Sequence, residues 1–563
     1  MQQTALALFL ILLNTIIGKK WKILQKLKYN FIAGDLVIAQ VFWSFSYDMK
    51  FVDIDLITWS SQRYVAFKIM FIVALYIFWI FLAYLYRIRK TKEGKIFIRV
   101  SLIYFILMGI NIFITWPGNW RWDEVFTLDM ARGLVVNYWQ HYLTTIQYVV
   151  SAMFIPLPGG IIIVQNFIIA LIVGYVVKEM VVFFKGSKLP YLVILILLLP
   201  TVVWHNLYPL RLTLNSYLEV LFLVLTLKFI YGKMEFKRMN MLGYLALSSL
   251  IAIWRTEAFY YILMVPVFIC IINYKELHKI IHKKNILQSG LMVLMCACLY
   301  FPQYYGISQE ASSEAYDVTG YVYTLDYFYF NLEDWDTNPH AQVIEEVINT
   351  EIFNSYEAPA KAYWDTSFFH ENITNSDIAE ATSNFYTLML EHPILALQSR
   401  FQLFFETVFS NRVIMDSESI NGATYQDFII RYPDSKSVVD TWISDFRENY
   451  MLTLLGEGAF DTIIVSTWNA FIPIMVCVLY FLFFLINIKR MWKEFLIICV
   501  PCIRIGLTFL TAPTYTFMYY YPAYIMGAIL IIFTLVAIKT GMWRNYLPHA
   551  KNESSKSSIP NAF

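Results

Sequence analysis

IRVSLIYFILMGINIFITWPGNWRWDE, residues 98–124, runs from a long apolar stretch straight into two adjacent acids. The apolar part, near 98–115, has the length one helix needs to cross a bilayer. Asp123 and Glu124 follow at once, framed by Trp116, Trp120 and Trp122. Tryptophan concentrates where a membrane helix meets water. The stretch therefore reads as a helix leaving the membrane and presenting two carboxylates at its surface.

Similar runs recur along the chain. Of the 563 residues, 58% are hydrophobic and only 15% charged, with 18% aromatic and a mean hydropathy of +0.54. Soluble proteins carry roughly a quarter charged residues. The fold class expected is an all-α polytopic membrane protein. About thirteen transmembrane helices are expected, near 4–18, 31–48, 67–86, 98–115, 161–182, 190–206, 214–231, 241–254, 258–274, 286–301, 461–487, 494–512 and 516–538.

Orientation follows from the basic residues of the short loops, which favour the cytoplasmic side. Clusters at Lys19–Lys28, Arg87–Lys95, Lys178–Lys188, Lys228–Arg238, Lys275–Lys284 and Lys489–Lys493 all fall on one side of these spans, as do Lys551 and Lys556. The other side receives Trp116–Gly160, Trp204–Thr213, Arg255–Glu257, Gln303–Asp461 and Ala512–Tyr515. Counting the apolar segment His141–Pro156 as a crossing would put Lys178–Lys188 outside. It is expected instead to lie in the outer interface, as one of two helices near Glu124–Val136 and His141–Phe154. Between Gln303 and Pro393 there are sixteen acidic residues and one basic, Lys361. That segment is too long for a bare loop, and helices are expected at Ala341–Ile352, Asp377–Leu390 and Ile394–Phe409. The domain scheme is 1–97, N-terminal helices; 98–302, a transmembrane core with its first outer loop at 116–160; 303–460, a mostly helical extracytoplasmic domain; 461–540, C-terminal helices; and 541–563, a polar cytoplasmic tail.

Several classes are excluded or unsupported. The first apolar run, Ala5 to Gly18, has no basic region before it and does not resemble a cleavable signal peptide. All six cysteines lie in apolar runs, which argues against a disulfide-stapled exported domain. Cys499-Val-Pro-Cys502 falls within an expected helix, where buried thiols are the simpler reading. Walker, GxGxxG and HExxH patterns are absent from the sequence. No nucleic-acid partner is expected; the partners are the lipid bilayer and whatever the outer face binds.

The residues that could carry chemistry all fall on that face. Asp123 and Glu124 can act as a general base or hold a divalent cation such as Mg2+ or Mn2+; they are equally read as solvated acids in an interfacial belt. Trp122 stands beside them. Arg255 sits in an outer turn of almost no length, where a lone arginine needs a partner. A phosphate would suit its guanidinium, and so would Glu257. His205, Tyr208 and Arg211 form a third cluster. His392 opens an amphipathic helix and reads either as a site residue or as a cap. Tyr520, in a turn rich in Tyr and Pro, could line a sugar or lipid site or belong to an aromatic belt.

The order of these features resembles the GT-C superfamily of polyprenyl-phosphate-dependent membrane glycosyltransferases, specifically its bacterial members, over roughly residues 98–538. WPGNWRWDE matches the acidic first outer loop and His141–Phe154 a juxtamembrane helix. HNLYPLRLTLNSYLEVLF, WRTEAF, LEHPILALQSRF and APTYTFMYYYPAY look like further counterparts. Relatives often carry an arginine before the tyrosine of the last outer turn, where this chain has Tyr519-Tyr520-Tyr521-Pro522. The donor phosphate is therefore expected at Arg255 and Arg211. The resemblance implies transfer of a sugar from a polyprenyl-phosphate donor to a cell-envelope glycan, lipid or protein acceptor, at the extracytoplasmic face of the plasma membrane. It would proceed with inversion, with Asp123 or Glu124 as base. A transporter or flippase for a lipid-linked sugar, and a non-catalytic envelope assembly protein, are the alternatives.

Overall fold

The computed structural model describes residues 30–52, 62–277, 282–309, 318–356, 359–409, 438–456 and 461–541. Among them every regular element is helical, and the one β feature is an isolated bridge between Ile348 and Phe369. A membrane interior dictates this, because each backbone N–H and C=O there must be satisfied within its own segment.

In order the helices are α1 (Asn30–Phe51), α2 (Gln62–Ile88), α3 (Lys92–Ile114), α4 (Trp122–Arg132), α5 (Tyr142–Phe154), α6 (Pro158–Phe183), α7 (Leu192–Ile196), α8 (Pro200–Asn206), α9 (Arg211–Ile230), α10 (Arg238–Trp254), α11 (Tyr261–Leu277) and α12 (Lys283–Gln309). There follow α13 (Val322–Asn331), α14 (Pro339–Glu345), α15 (Pro359–Ala362), α16 (Asn375–Glu391), α17 (Pro393–Phe409), α18 (Val438–Leu455), α19 (Asp461–Thr467), α20 (Phe471–Ile486), α21 (Ile488–Thr511) and α22 (Tyr521–Lys539).

Among the described residues nine helical segments are long and apolar enough to cross a membrane. The count becomes ten when Leu189–Ile196 and Pro200–Asn206, bent by 63°, are taken as one broken span. The chain is thus a multi-pass membrane protein, with fewer qualifying spans than the thirteen expected. Residues 4–18, the first expected span, lie outside the described residues, as does the tail beyond Gly541. The apolar part of α10, Met239–Trp254, is only some 24 Å long at the helical rise. In α1 the apolar part is shorter still, Leu36–Phe45. Proline explains the bend: Pro200 opens α8 and cannot continue α7. Helices expected near Glu124–Val136 and His141–Phe154 are present as α4 and α5.

Packing divides the chain into two units: Met1–Val224 with Asp416–Asp461 and Ile532–Phe563, and Leu225–Met415 with Thr462–Ile531. The expected segment 303–460 is therefore split, since α18 belongs to the first unit. In that unit α3 and α6 lie close enough that a Cβ on Gly174 would meet Ser101 Oγ at 2.0 Å. Such small-residue contacts let membrane helices approach without a hydrophobic drive. Helix α5 sets Phe154 edge-on to Phe71 and Phe78 of α2, at 5.1 and 5.8 Å. Where α1 meets α2, Lys68 Nζ lies 2.5 Å from Asp48 Oδ2, with both side chains 1% exposed. Tyr64 donates to the same oxygen at 2.6 Å.

In the second unit, α13–α17 enclose an aromatic core built on Phe328, Trp335, Phe353, Phe368 and Phe385. Tyr321 stacks on Phe385 at 4.5 Å. Asn338 caps α14 and Thr374 caps α16, each accepting from backbone N–H groups of the first turn.

A candidate site on the first outer loop

The loop 115–121 is shaped by its glycine and its hydrogen bonds. Gly118 has φ +97°, open to glycine and strained for other residues. A Cβ there would also meet Ile162 Cδ1 at 2.2 Å and the Leu207 carbonyl at 2.9 Å. Asn119 donates its backbone N–H to that Leu207 carbonyl at 3.0 Å. Trp120 turns back to donate to the Pro117 carbonyl at 3.1 Å. The Trp116 ring lies against Gly159, where an added Cβ would stand 2.5 Å from ring carbons. The loop is thus clamped to the turn after α8, which carries the third cluster read from the sequence, His205, Tyr208 and Arg211.

That turn is held from all sides within the first unit. Gln165 and Asn166 of α6 donate to the carbonyls of Tyr208 and Asn206, both at 2.7 Å. Asn206 donates to the hydroxyls of Tyr104 and Tyr217 at 3.0 Å. Tyr148 of α5 donates to the Pro209 carbonyl at 2.9 Å. His205 Nδ1 faces the Thr201 carbonyl at 2.8 Å. Only a protonated nitrogen can donate there, so Nε2 is the acceptor side of this ring.

Asp123 and Glu124 occupy the first turn of α4, the end where a helix favours negative charge. Glu124 Oε2 accepts the Arg121 backbone N–H at 3.1 Å. Its carboxyl is pushed up to about 7, first by burial and then by the neighbouring Asp123 charge. Asp123 is half-buried and accepts from Gln140 Nε2 at 3.2 Å. Burial raises its carboxyl too, against the pull of the Arg121 and Arg211 guanidiniums and the Gln140 hydrogen bond. Arg121 lies over the Tyr208 ring, 4.7 Å from its centroid. Arg211 stands in the first turn of α9, the end that disfavours cations, so its anionic neighbour Asp123 matters.

His141, not singled out from the sequence, completes the cluster. It caps α5 by accepting the Leu143 N–H on Nδ1 at 3.3 Å, with φ +69°. Burial and the nearby Arg211 charge press its pKa down to about 3, so the ring is neutral and its proton sits on Nε2. Among the described residues that buried Nε2 has no hydrogen-bond partner. A strained backbone carrying a buried donor is the kind of feature that clusters at functional sites. The available sequence signal was a histidine directly before an apolar helix.

Asp123, Glu124, His205, Tyr208 and Arg211 therefore come together, joined by Arg121, Gln140 and His141. Trp122 is in α4, but its side chain lies outside the described residues. The other expected residues belong to the second unit. Arg255 pairs with Glu257 at 2.5 Å, the alternative to a phosphate partner weighed for it. His392 closes α16 and its ring meets Phe328 edge-on at 6.5 Å, in keeping with a cap. Tyr520 is buried beside Phe404, ring centroids 5.5 Å apart. The Arg400 charge reaches Tyr520. Arg400 is itself bound to the Leu510 and Ala512 carbonyls at 3.1 and 3.0 Å.

The acidic pair does not suit a divalent cation. Glu124 is engaged by backbone, two guanidiniums act on the pair, and no group of three His, Cys, Asp or Glu side chains with metal-binding geometry occurs among the described residues. With both carboxyls held above their ordinary range beside Arg121 and Arg211, the cluster leans toward an anion. Comparison with known proteins adds no name to this site: no family model, no curated protein and no solved structure matches the chain.

Proposed function

We propose that the protein transfers a sugar from a polyprenyl-phosphate donor to a cell-envelope glycan, lipid or protein acceptor at the outer face of the plasma membrane. The observation that carries this reading is the convergence of one half-buried carboxylate, two guanidiniums and a neutral histidine donor where the loop after α3 meets the turn after α8. Arg211, assisted by Arg121, meets the donor phosphate. His141 Nε2–H donates to a donor oxygen. Asp123 takes the proton of the acceptor hydroxyl as that oxygen attacks the anomeric carbon. The bond from this carbon to the phosphate oxygen breaks, and the phosphate leaves with its electron pair against the guanidiniums. A single displacement inverts the anomeric configuration. Glu124 holds the Arg121 backbone and therefore positions the loop.

A flippase for the same lipid is the second reading, favoured by the buried Lys68–Asp48 pair, since charge within membrane segments often marks a transport path. One experiment separates the two. Purified protein in liposomes receives radiolabelled polyprenyl-phosphate-hexose and an extract of envelope acceptors. The proposal expects label to leave the lipid with the wild type and to stay with Asp123→Asn. Equal release by both proteins overturns the role of Asp123. Label that changes leaflet without leaving its lipid overturns the transferase in favour of the flippase.

A further inference from the structure

At the end of the broken span opposite His205, the first unit opens a groove of about 760 Å³. Ile103 and Leu107 of α3 form one wall, and Leu192 and Leu195 of α7 another. Lys188, just before the span, and Lys539, the last residue of α22, both line the same groove. Leu195 is 63% exposed and Ile103 49%, so the groove is open to surrounding lipid. Both lysines belong to the side of the molecule whose short loops carry the basic clusters, hence the cytoplasmic side.

We propose that this groove holds one lipid with an anionic phosphate headgroup, taken from the inner leaflet. The tail lies along the four apolar residues and the phosphate sits between Lys188 and Lys539. Charge complementarity selects this occupant. An apolar helix face accepts any lipid tail, but here two cations from distant parts of the chain border one concave surface. Its lining contains no carboxylate, and neither lysine has an ion-pair partner among the described residues. The volume falls within the range of ligand pockets, and anionic lipids are concentrated in the cytoplasmic leaflet. The inference goes beyond the outer site and does not depend on it.

The full-length protein in phosphatidylcholine nanodiscs, doped with phosphatidylglycerol spin-labelled near the end of one acyl chain, provides the test. The motionally restricted fraction is read by electron spin resonance, with equally labelled phosphatidylcholine as reference. The wild type is expected to restrict the anionic lipid preferentially. Lys188→Gln and Lys539→Gln should each weaken that preference about fivefold, and Leu195→Trp should reduce restriction of the tail by filling the groove. Lys185→Gln, an exposed lysine outside the lining, serves as control and should change nothing. No preference in the wild type overturns the proposal. So does a preference that survives loss of both lysines, or one that Lys185→Gln weakens equally, since that would reduce the effect to diffuse surface attraction.

Discussion

Two charged clusters in the first unit differ in how completely their charges are matched. At Asp48–Lys68, one carboxylate meets one ammonium at 2.5 Å, and Tyr64 donates to the same Oδ2. Lys68 also donates to Ser44, and Phe45 and Phe71 face the cation. The buried Asp48 Oδ1 has no hydrogen-bond partner among the described residues. At Asp123, two carboxyls held above their ordinary range face two guanidiniums and a neutral histidine with an unused donor. The first cluster matches one negative charge with one positive charge and suits a structural joint. The second leaves acid–base capacity over, as expected where charges must meet something that arrives later.

That contrast is most open to disproof at Asp123. Asp123→Asn should lower sugar transfer by roughly 10²–10⁴-fold, the range for loss of a general base, while thermal unfolding in detergent stays close to wild type. A large drop in unfolding temperature would place Asp123 in the same class as Asp48. Lys68→Met should do the reverse, destabilising the protein by about 3–5 kcal/mol because it strands a buried carboxylate. The double change Asp48→Leu/Lys68→Met should recover most of that loss. If it does not, the pair does more than join two helices.

Arginine offers a finer comparison. Arg211→Gln should raise the KM for the lipid donor, and Arg211→Lys should rescue it poorly, because ammonium lacks the bidentate fork. Arg255→Gln, which breaks only a pair with Glu257 in the other unit, should change that KM less; an equal rise would restore Arg255 to the phosphate site. The smallest effect concerns pH. Glu124 titrates near 7 in the folded protein against an ordinary 4.5, so the native state binds its proton more tightly. Its contribution to stability is therefore greatest below about 4.5 and is lost as pH rises through about 7. The decline in unfolding temperature over that window should flatten in Glu124→Gln.

Much of this was legible in the sequence, for identifiable reasons. Apolar runs and basic turns register directly as spans, because the bilayer imposes one length and one charge bias. α4 and α5 were legible because a parity rule forbade His141–Pro156 from crossing. Asp123, His205, Tyr208 and Arg211 stood out as polar residues just beyond apolar runs, but their union depended on the Gly118 turn touching Leu207, which no local pattern encodes. Arg121 and His141 escaped notice because their importance lies in neighbours far along the chain. Lys68 and Asp48 sit at the edges of expected spans, and no sequence signal pairs them. Arg255 was read with two candidate partners, a phosphate and Glu257, and the structure shows the pair with Glu257, a choice that no local pattern makes.

The clamp between the loop after α3 and the turn after α8 also sets a timetable. Asn119 closes on Leu207 through its backbone and on the Trp204 carbonyl through its side chain, 85 residues downstream. At ribosomal speeds of about 5–20 residues per second, the acids precede the turn that clamps their loop by roughly 4–17 s. During that interval Asp123 and Glu124 belong to an unfinished loop. The machinery completes itself only when α8 has been inserted, so a nascent chain truncated before Leu207 would display the acids without the site.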